Sequence, residues 1–135
     1  MTTAVDTNVF IDILANDPDY AVPSAQNLEE ARRRGRLVVC EVVIAELGRF
    51  VADLRALNLF LDSLGLEYVP ISFSAACLAG RLWAGQRVSG VSKRRAVADF
   101  LIAAHAMAEA DRLLTRDRDF LALPLEGLEV VIPRG

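Results

Sequence analysis

The alternation of apolar and polar positions along the chain predicts strands that are followed by helices. Near the N-terminus, the apolar run TAVD ends in Asp6, and apolar residues then recur at helical spacing through TNVFIDILAND. Asp6 or Thr7 suits a helix N-cap, and Pro18 disfavours helical geometry at the residue before it. We therefore expect a strand and then a helix before Pro18.

Similar strand and helix patterns follow along the rest of the chain. A second helix is expected to begin near Pro23 and to end at Gly35, a suitable C-cap. The strand-like runs are RLVVC, LEYVPI, RLLT and LEVVIP, and the segments between them have helical patterns. Because strands that alternate with helices form parallel sheets covered on both faces, we predict an α/β fold.

A leucine-rich segment predicts two helices that meet near Asp53. Its apolar residues recur at spacings of three and four: Leu47, Phe50, Leu54, Leu57, Leu61 and Leu64. Such a seam is explained by packing on the sheet. Leu59 and Phe60 lie off this seam, so they either complete the core or contact a second copy or a partner.

Composition narrows the class of protein. The 135 residues, 53% hydrophobic and 24% charged, have the balance of one globular domain. The N-terminus lacks the pattern of a signal peptide, and no apolar run approaches the roughly 20 residues of a membrane span, so we expect a cytoplasmic protein. Cys40 and Cys77 lack metal-binding spacing, and we expect two buried free thiols.

Four acidic residues stand where a parallel sheet binds its ligands. Asp6 and Asp117 come just after predicted strands, Asp99 begins a helix, and Glu46 lies one turn into another helix. Ligands gather beyond the carboxyl ends of such strands. Converging carboxylates repel one another, and Mg²⁺ or Mn²⁺, which prefer oxygen ligands, would offset that repulsion. Two such cations roughly 4 Å apart suit phosphodiester hydrolysis by an activated water.

Each acid also has a purely structural explanation. Asp6 could only cap a helix, Glu46 could face solvent, Asp99 could be a first-turn acid, and Asp117 could form a turn. Their joint placement, rather than any one residue, favours a metal site.

Neighbouring polar residues carry weaker indications. Asn8 could bond a carboxylate or a phosphate oxygen, or could only cap a helix, and the hydroxyl of Thr115 could orient the acid two residues later or a metal-bound water. Asp12 does not share the helical face of the strand-end acid, so an exposed or loop-bonding role is expected. His105, the only histidine, is expected to be packed or partly exposed rather than a general acid.

Four blocks of sequence resemble the motifs of one nuclease family. AVDTNVFIDIL, VVIAELGR, ADFLIAAHA and LLTRDRDF look like the four motif blocks of PIN-domain nucleases, specifically the VapC-type toxins of toxin–antitoxin pairs, in family order over residues 4–120. The resemblance implies a single α/β/α domain over residues 1–135, with a central parallel sheet. It also implies an endoribonuclease dependent on Mg²⁺ or Mn²⁺, a small antitoxin partner, and dimerisation, for which the Leu47–Leu64 region is a candidate.

The same resemblance assigns catalytic and metal-binding roles to individual acids. Carried over position by position, the acids are Asp6, Glu46, Asp99 and Asp117. The fourth acid is the least constant position of the family, which leaves Asp119 as an alternative to Asp117. We otherwise expect Asp119 to begin and cap a short helical turn, with Phe120 packed into the core.

Basic residues bear on the substrate. The net charge of -3 argues at first against nucleic acid, but setting aside four acids as ligands changes -3 to +1, and bound cations add positive charge. Five basic residues border the acids: Lys93, Arg94, Arg95, Arg116 and Arg118. They could draw in an RNA backbone, or they could form only a solvated charged surface.

Two other functions can be compared with a nuclease. A phospho-receiver domain needs a lysine after its last strand, whereas the only lysine, Lys93, precedes a helix, and no glycine-rich phosphate-binding motif follows any strand. A catalytically silent PIN-like module that binds RNA or a partner stays open, because the presence of ligands does not prove turnover.

Overall fold

A computed structural model describes residues 1–89 and 97–134 of the chain, and within them a parallel β-sheet forms the centre of the fold. The strands are β1 (Thr3–Val5), β2 (Leu37–Val39), β3 (Leu66–Tyr68), β4 (Arg112–Leu114) and β5 (Glu129–Val131). Their order across the sheet is β3-β2-β1-β4-β5, and every neighbouring pair is parallel.

Helices connect these strands in sequence. They are α1 (Thr7–Leu14), α2 (Ala21–Arg34), α3 (Glu41–Leu47), α4 (Leu54–Ser63), α5 (Phe73–Ser89) and α6 (Val97–Glu109), and a 3-10 turn follows at Arg118–Ala122. All residues of β1, β2 and β4 are buried, which requires cover on both faces of the sheet. The α/β sandwich with a central parallel sheet is therefore confirmed. Within the described ranges, no helix has the combined length and hydrophobicity to cross a membrane.

The strand order reverses between β1 and β4. From β1 the chain proceeds outward to β2 and β3, and it then returns to the other side of β1 to form β4 and β5. A crevice opens at such a switch point, beyond the carboxyl ends of the two strands, and it is the usual ligand site of an open α/β sheet. Residues that directly follow β1 and β4 are thereby brought together.

The leucine seam is only partly buried. Asp53 caps α4 by accepting a hydrogen bond from the Ala56 N–H at 2.8 Å, so a junction near Asp53 is confirmed. Leu57 is buried, as is Leu47 in α3, but Leu54 is 74% exposed. The expectation that the whole seam packs on the sheet is therefore wrong at its centre, where the chain passes from one helix to the next.

In each of two pairs, Leu59 with Phe60 and Cys40 with Cys77, one residue packs with the core and the other is exposed. Leu59 is exposed, whereas Phe60 packs edge-on against Phe10, with the ring centroids 5.9 Å apart. Cys40 is buried, and burial raises the pKa of its thiol. Cys77 is exposed, so the expectation of two buried thiols is wrong for Cys77, which lies on the solvent side of α5.

Gly35 allows the chain to turn from α2 into β2. Its φ of 157° and ψ of -145° lie in a region reserved almost entirely for glycine, and an added Cβ would stand 1.9 Å from the Met1 carbonyl oxygen. We expect Gly35→Ala to lower the free energy of unfolding, measured in urea, by about 1–3 kcal/mol. Gly80→Ala is the matched control, since nothing lies within 4 Å of an added Cβ in the middle of α5. It should raise stability by about 0.5–1 kcal/mol, and equal losses in both variants would contradict this explanation.

Candidate functional site

Asp6 lies at the switch point, directly after β1. Its side chain is 5% exposed and caps α1: Oδ1 accepts a hydrogen bond from the Thr7 N–H at 2.7 Å. Because β1 and β4 are adjacent, Thr115 lies opposite, and its hydroxyl donates to Oδ2 of Asp6, also at 2.7 Å. Both carboxylate oxygens are thus held in one orientation in a buried position.

Two further acids, Glu46 and Asp99, raise the pKa of Asp6 through their negative charges. Glu46, in α3, accepts a hydrogen bond from the Thr7 hydroxyl at 2.7 Å, and Asp99 lies in the first turn of α6. Burial raises the pKa of Asp6 to about 6 against the lowering effect of hydrogen bonds from Thr115 and Thr7, and the negative charges of Asp99 and Glu46 raise it further. The structure therefore brings three of the four predicted acids into one electrostatic group.

Asp117 is connected to this group through Thr115. The Asp117 N–H donates to the Thr115 hydroxyl oxygen at 3.0 Å, while its carboxylate accepts a hydrogen bond from the Asp119 N–H at 2.9 Å and caps the 3-10 turn. Asp119 was expected to be the cap, and that expectation is wrong because the turn begins one residue earlier than the pattern indicated. Phe120 is fully buried, as expected.

The polar neighbours have more specific contacts than their sequence positions indicated. The Thr115 hydroxyl donates its hydrogen bond to the Asp6 carboxylate rather than to the side chain of Asp117. Asn8 accepts a hydrogen bond from the Arg116 N–H at 3.0 Å and so joins α1 to the loop after β4. The contact between Thr7 and Glu46 was not anticipated, and its only sequence signal is a hydroxyl directly after the strand-end acid.

Asp12 is buried and forms an ion pair with the loop after β4. Of the two roles expected for it, the exposed one is therefore wrong and the loop-bonding one is confirmed. It is 2% exposed, and its Oδ2 accepts hydrogen bonds from Arg116 Nε at 2.7 Å and from the Ser24 hydroxyl at 3.0 Å. The Arg116 guanidinium also lies over the ring of Tyr20, 4.3 Å from its centroid. These contacts fix the loop that carries Thr115 and Asp117 onto the first two helices.

The remaining predicted residues lie outside this group. His105 is buried, and its Nε2 donates to the Val69 carbonyl at 2.7 Å; burial lowers its pKa, so the packed role is confirmed. Arg118 is exposed beside the loop after β4. The predictions for Lys93, Arg94 and Arg95 fall outside the described residues.

The donor set fits a hard divalent cation in chemistry and in charge. Asp6, Glu46 and Asp99 offer carboxylate oxygens, and the raised pKa of Asp6 reflects buried negative charge that a cation would offset. In residues 1–89 and 97–134, no three acidic, histidine or cysteine side chains are close enough to form a ready metal-binding group.

Comparison with known proteins establishes the family. The PIN domain family profile matches residues 3–125, nearly the whole chain. Ribonuclease VapC5 of Mycobacterium tuberculosis is 33% identical over 128 residues, which cover 88% of this chain and 85% of that protein. The chain therefore belongs to the PIN-domain family, and this relative places it among the VapC-type members.

Solved structures agree with this assignment. The crystal structure of VapBC2 from Rickettsia felis, bound to a DNA fragment from its promoter, has a TM-score of 0.76 at 26% identity and covers 96% of this chain and 98% of that one. VapBC-1 from nontypeable Haemophilus influenzae has a TM-score of 0.74 at 21% identity, with 98% of each chain covered, and supports the fold alone.

Proposed function

We propose that this protein is a ribonuclease that acts as the toxin of a toxin–antitoxin pair, and specifically an endoribonuclease that depends on Mg²⁺ or Mn²⁺. The observation that carries the proposal is the buried carboxylate of Asp6 at the switch point, under the negative charges of Glu46 and Asp99. The similarity to a VapC ribonuclease and to VapBC structures supports it.

The proposed site assigns distinct roles to the acids and to their neighbours. Asp6, Glu46, Asp99 and Asp117 would hold the cations, which supply an activated water and stabilise the leaving oxygen of a phosphodiester. Thr115 and the Thr7 N–H hold the Asp6 carboxylate in one orientation, and the Thr7 hydroxyl holds Glu46. Hydrogen bonds of this kind around a ligand set its orientation and its basicity.

Basic residues around the acids would bind the RNA backbone. The proposed set is Lys93, Arg94, Arg95, Arg116 and Arg118. Arg116 is held by Asp12 and Tyr20, so it would meet a phosphate in a preset orientation, whereas Arg118 is exposed and can adjust to its ligand.

The proposed partners are a small antitoxin and a second copy of the chain, in the cytoplasm. The Leu47–Leu64 region remains our candidate for a dimer contact, because Phe50, Leu54 and Leu59 are large apolar side chains exposed on it. The similarity to the VapBC2 structure from Rickettsia felis supports an antitoxin partner. A short reading frame next to this gene, encoding a DNA-binding antitoxin, would support the toxin role.

The test is cleavage of single-stranded RNA by the purified chain, freed from any co-purified antitoxin, with and without Mn²⁺. We expect cleavage that requires Mn²⁺ and stops in EDTA, together with saturable Mn²⁺ binding by calorimetry. Full activity in EDTA would contradict the role of the metal.

A second candidate function is a PIN-like module that binds RNA or a partner without turnover. It is favoured by the lack of a ready metal-binding group in the part of the chain that the structure describes. Tight Mn²⁺ binding with no cleavage of any RNA in a panel of transfer, ribosomal and messenger RNAs would favour the module over the nuclease.

A further inference from the structure

A basic pocket opens beside the loop that follows β4. It has a volume of about 240 Å³ and brings together the end of the α1–α2 connection, the loop after β4 and the C-terminal segment. Its lining residues are Tyr20, Arg116, Arg118, Ile132, Pro133 and Arg134. Three of these six are arginines and none is acidic, so the pocket suits an anion.

We propose that this pocket binds a phosphate and its attached sugar in the RNA chain, beside the phosphodiester that is cleaved. The proposal rests on the proposed ribonuclease function and adds the C-terminal segment, through Arg134, to the substrate-binding surface. The pocket volume lies below the roughly 300–1,000 Å³ typical of sites that enclose a whole small ligand. A short piece of a longer polymer fits this size better than a free metabolite does.

Arg116 is the fixed part of the pocket. Asp12 accepts from its Nε at 2.7 Å, and the ring of Tyr20 lies 4.3 Å from the guanidinium carbon. Asp12 also raises the pKa of Arg116, which keeps the guanidinium charged. Since arginine has five N–H donors, the Asp12 contact leaves others for a phosphate, and little side-chain entropy is lost when they engage it.

Arg118 and Arg134 contribute exposed positive charge to the pocket. Both are exposed, and neither has a carboxylate within 4.0 Å among the residues that the structure describes. Their charge is therefore not offset by a described ion pair and can act on a ligand.

The pocket adjoins the acids of the proposed catalytic site. Arg116 and Arg118 stand on either side of Asp117, whose N–H bonds Thr115, and Thr115 in turn bonds Asp6. Two arginines of the pocket are therefore the immediate chain neighbours of a proposed metal ligand, and an RNA chain that extends past this ligand can place a further phosphate in the pocket. An acidic peptide could satisfy the same arginines, but the position beside the acids favours RNA.

The test separates binding from turnover by using Asp99→Asn protein as the parent. Its affinity for a fluorescent single-stranded RNA of about ten nucleotides is measured by anisotropy over a range of salt concentrations. The test variant adds Arg118→Ala and Arg134→Ala. The matched control instead adds Arg33→Ala and Arg34→Ala, which remove the same formal charge from exposed positions in the last turn of α2, a helix that contributes no residue to the pocket lining.

We expect the test variant to bind RNA about tenfold more weakly, with a salt slope lower by about 0.7 for each phosphate that is no longer neutralised, and the control to stay within about twofold of the parent. In otherwise wild-type protein, the same pair of substitutions should raise KM more than it lowers kcat.

Equal losses of RNA affinity in the test and control variants, no loss in the test variant, or no RNA binding by the parent would overturn the proposal. So would a loss of affinity for a glutamate-rich peptide without a loss for RNA, which would assign the pocket to an acidic protein partner. If wild-type protein does not cleave RNA but the test variant still binds RNA more weakly than its parent, the ribonuclease proposal fails and the pocket remains an RNA site.

Discussion

Asp6→Asn is expected to reduce RNA cleavage on the order of 10³-fold or more while the protein stays folded. The amide keeps the size of the side chain and one of its two accepting oxygens, but it removes the charge that would hold a cation at the switch point. Asp99→Asn should have a similar effect, because Asp99 acts on the same electrostatic group. Initial rates with single-stranded RNA and saturating Mn²⁺ measure the loss, and circular dichroism checks the fold.

Asp62→Asn is the matched control for these two variants. Asp62 is an exposed aspartate of α4, outside the proposed site, and its substitution should leave the cleavage rate unchanged. Comparable rates for Asp6→Asn, Asp99→Asn and the control would refute the proposed ligand set. Asp117→Asn and Asp119→Asn in the same assay decide the fourth acid, and we expect the larger loss for Asp117→Asn because Asp117 is the one connected to Thr115.

The same Asp6→Asn substitution is expected to reduce the loss of stability that the metal-free protein undergoes as the pH rises. Burial and like charges raise the pKa of Asp6 from 3.8 to about 6, so the folded state binds this proton more tightly than the unfolded chain does. The stability linked to this group is fully present below pH 3.8 and is lost as the pH rises through about 6. The difference of about two pKa units corresponds to roughly 3 kcal/mol, at 1.36 kcal/mol per unit.

The measurement is urea unfolding of wild-type and Asp6→Asn protein in EDTA from pH 4 to pH 8. The stability of Asp6→Asn relative to wild type should rise across this range and level off above about pH 7. Comparing the two proteins cancels the titration of the other carboxylates. Mn²⁺ added at pH 8 should stabilise the wild type in a concentration-dependent way and the variant much less. If the free energies of unfolding of the two proteins changed in parallel with pH, ionisation of Asp6 would not destabilise the fold and this prediction would be wrong.

These two effects have a common physical origin. A carboxylate that is buried beside two other acids destabilises the metal-free fold, and the same arrangement supplies the charge that attracts a cation. Function and stability are therefore expected to oppose each other at Asp6, as is common at sites built for binding or catalysis.

Several parts of the structure follow from local sequence. The TAVD run followed by Asp6 predicts both β1 and the cap of α1, because an apolar strand and a capping carboxylate depend only on neighbouring residues. Gly35 marks the end of α2 for a similar reason, since few other residues adopt its backbone conformation. Three acids of the candidate site could be identified because Asp6 and Asp117 follow recognisable strands and Asp99 lies at the start of a helix. Glu46 lies inside α3, and its identification depended mainly on the resemblance of the motif blocks to those of one family.

The tertiary structure decided the contacts that join distant segments. The ion pair between Asp12 and Arg116 spans 104 residues, and the hydrogen bond between Asp6 and Thr115 spans 109. Both depend on β4 lying next to β1, and the spacing of apolar residues within either segment does not specify which strands become neighbours. The exposure of Leu54 was decided in the same way, because burial depends on what packs against a helix as well as on its own pattern. The sequence by itself thus determined the chemical groups and the elements that carry them, whereas the order of strands across the sheet determined which of those groups meet.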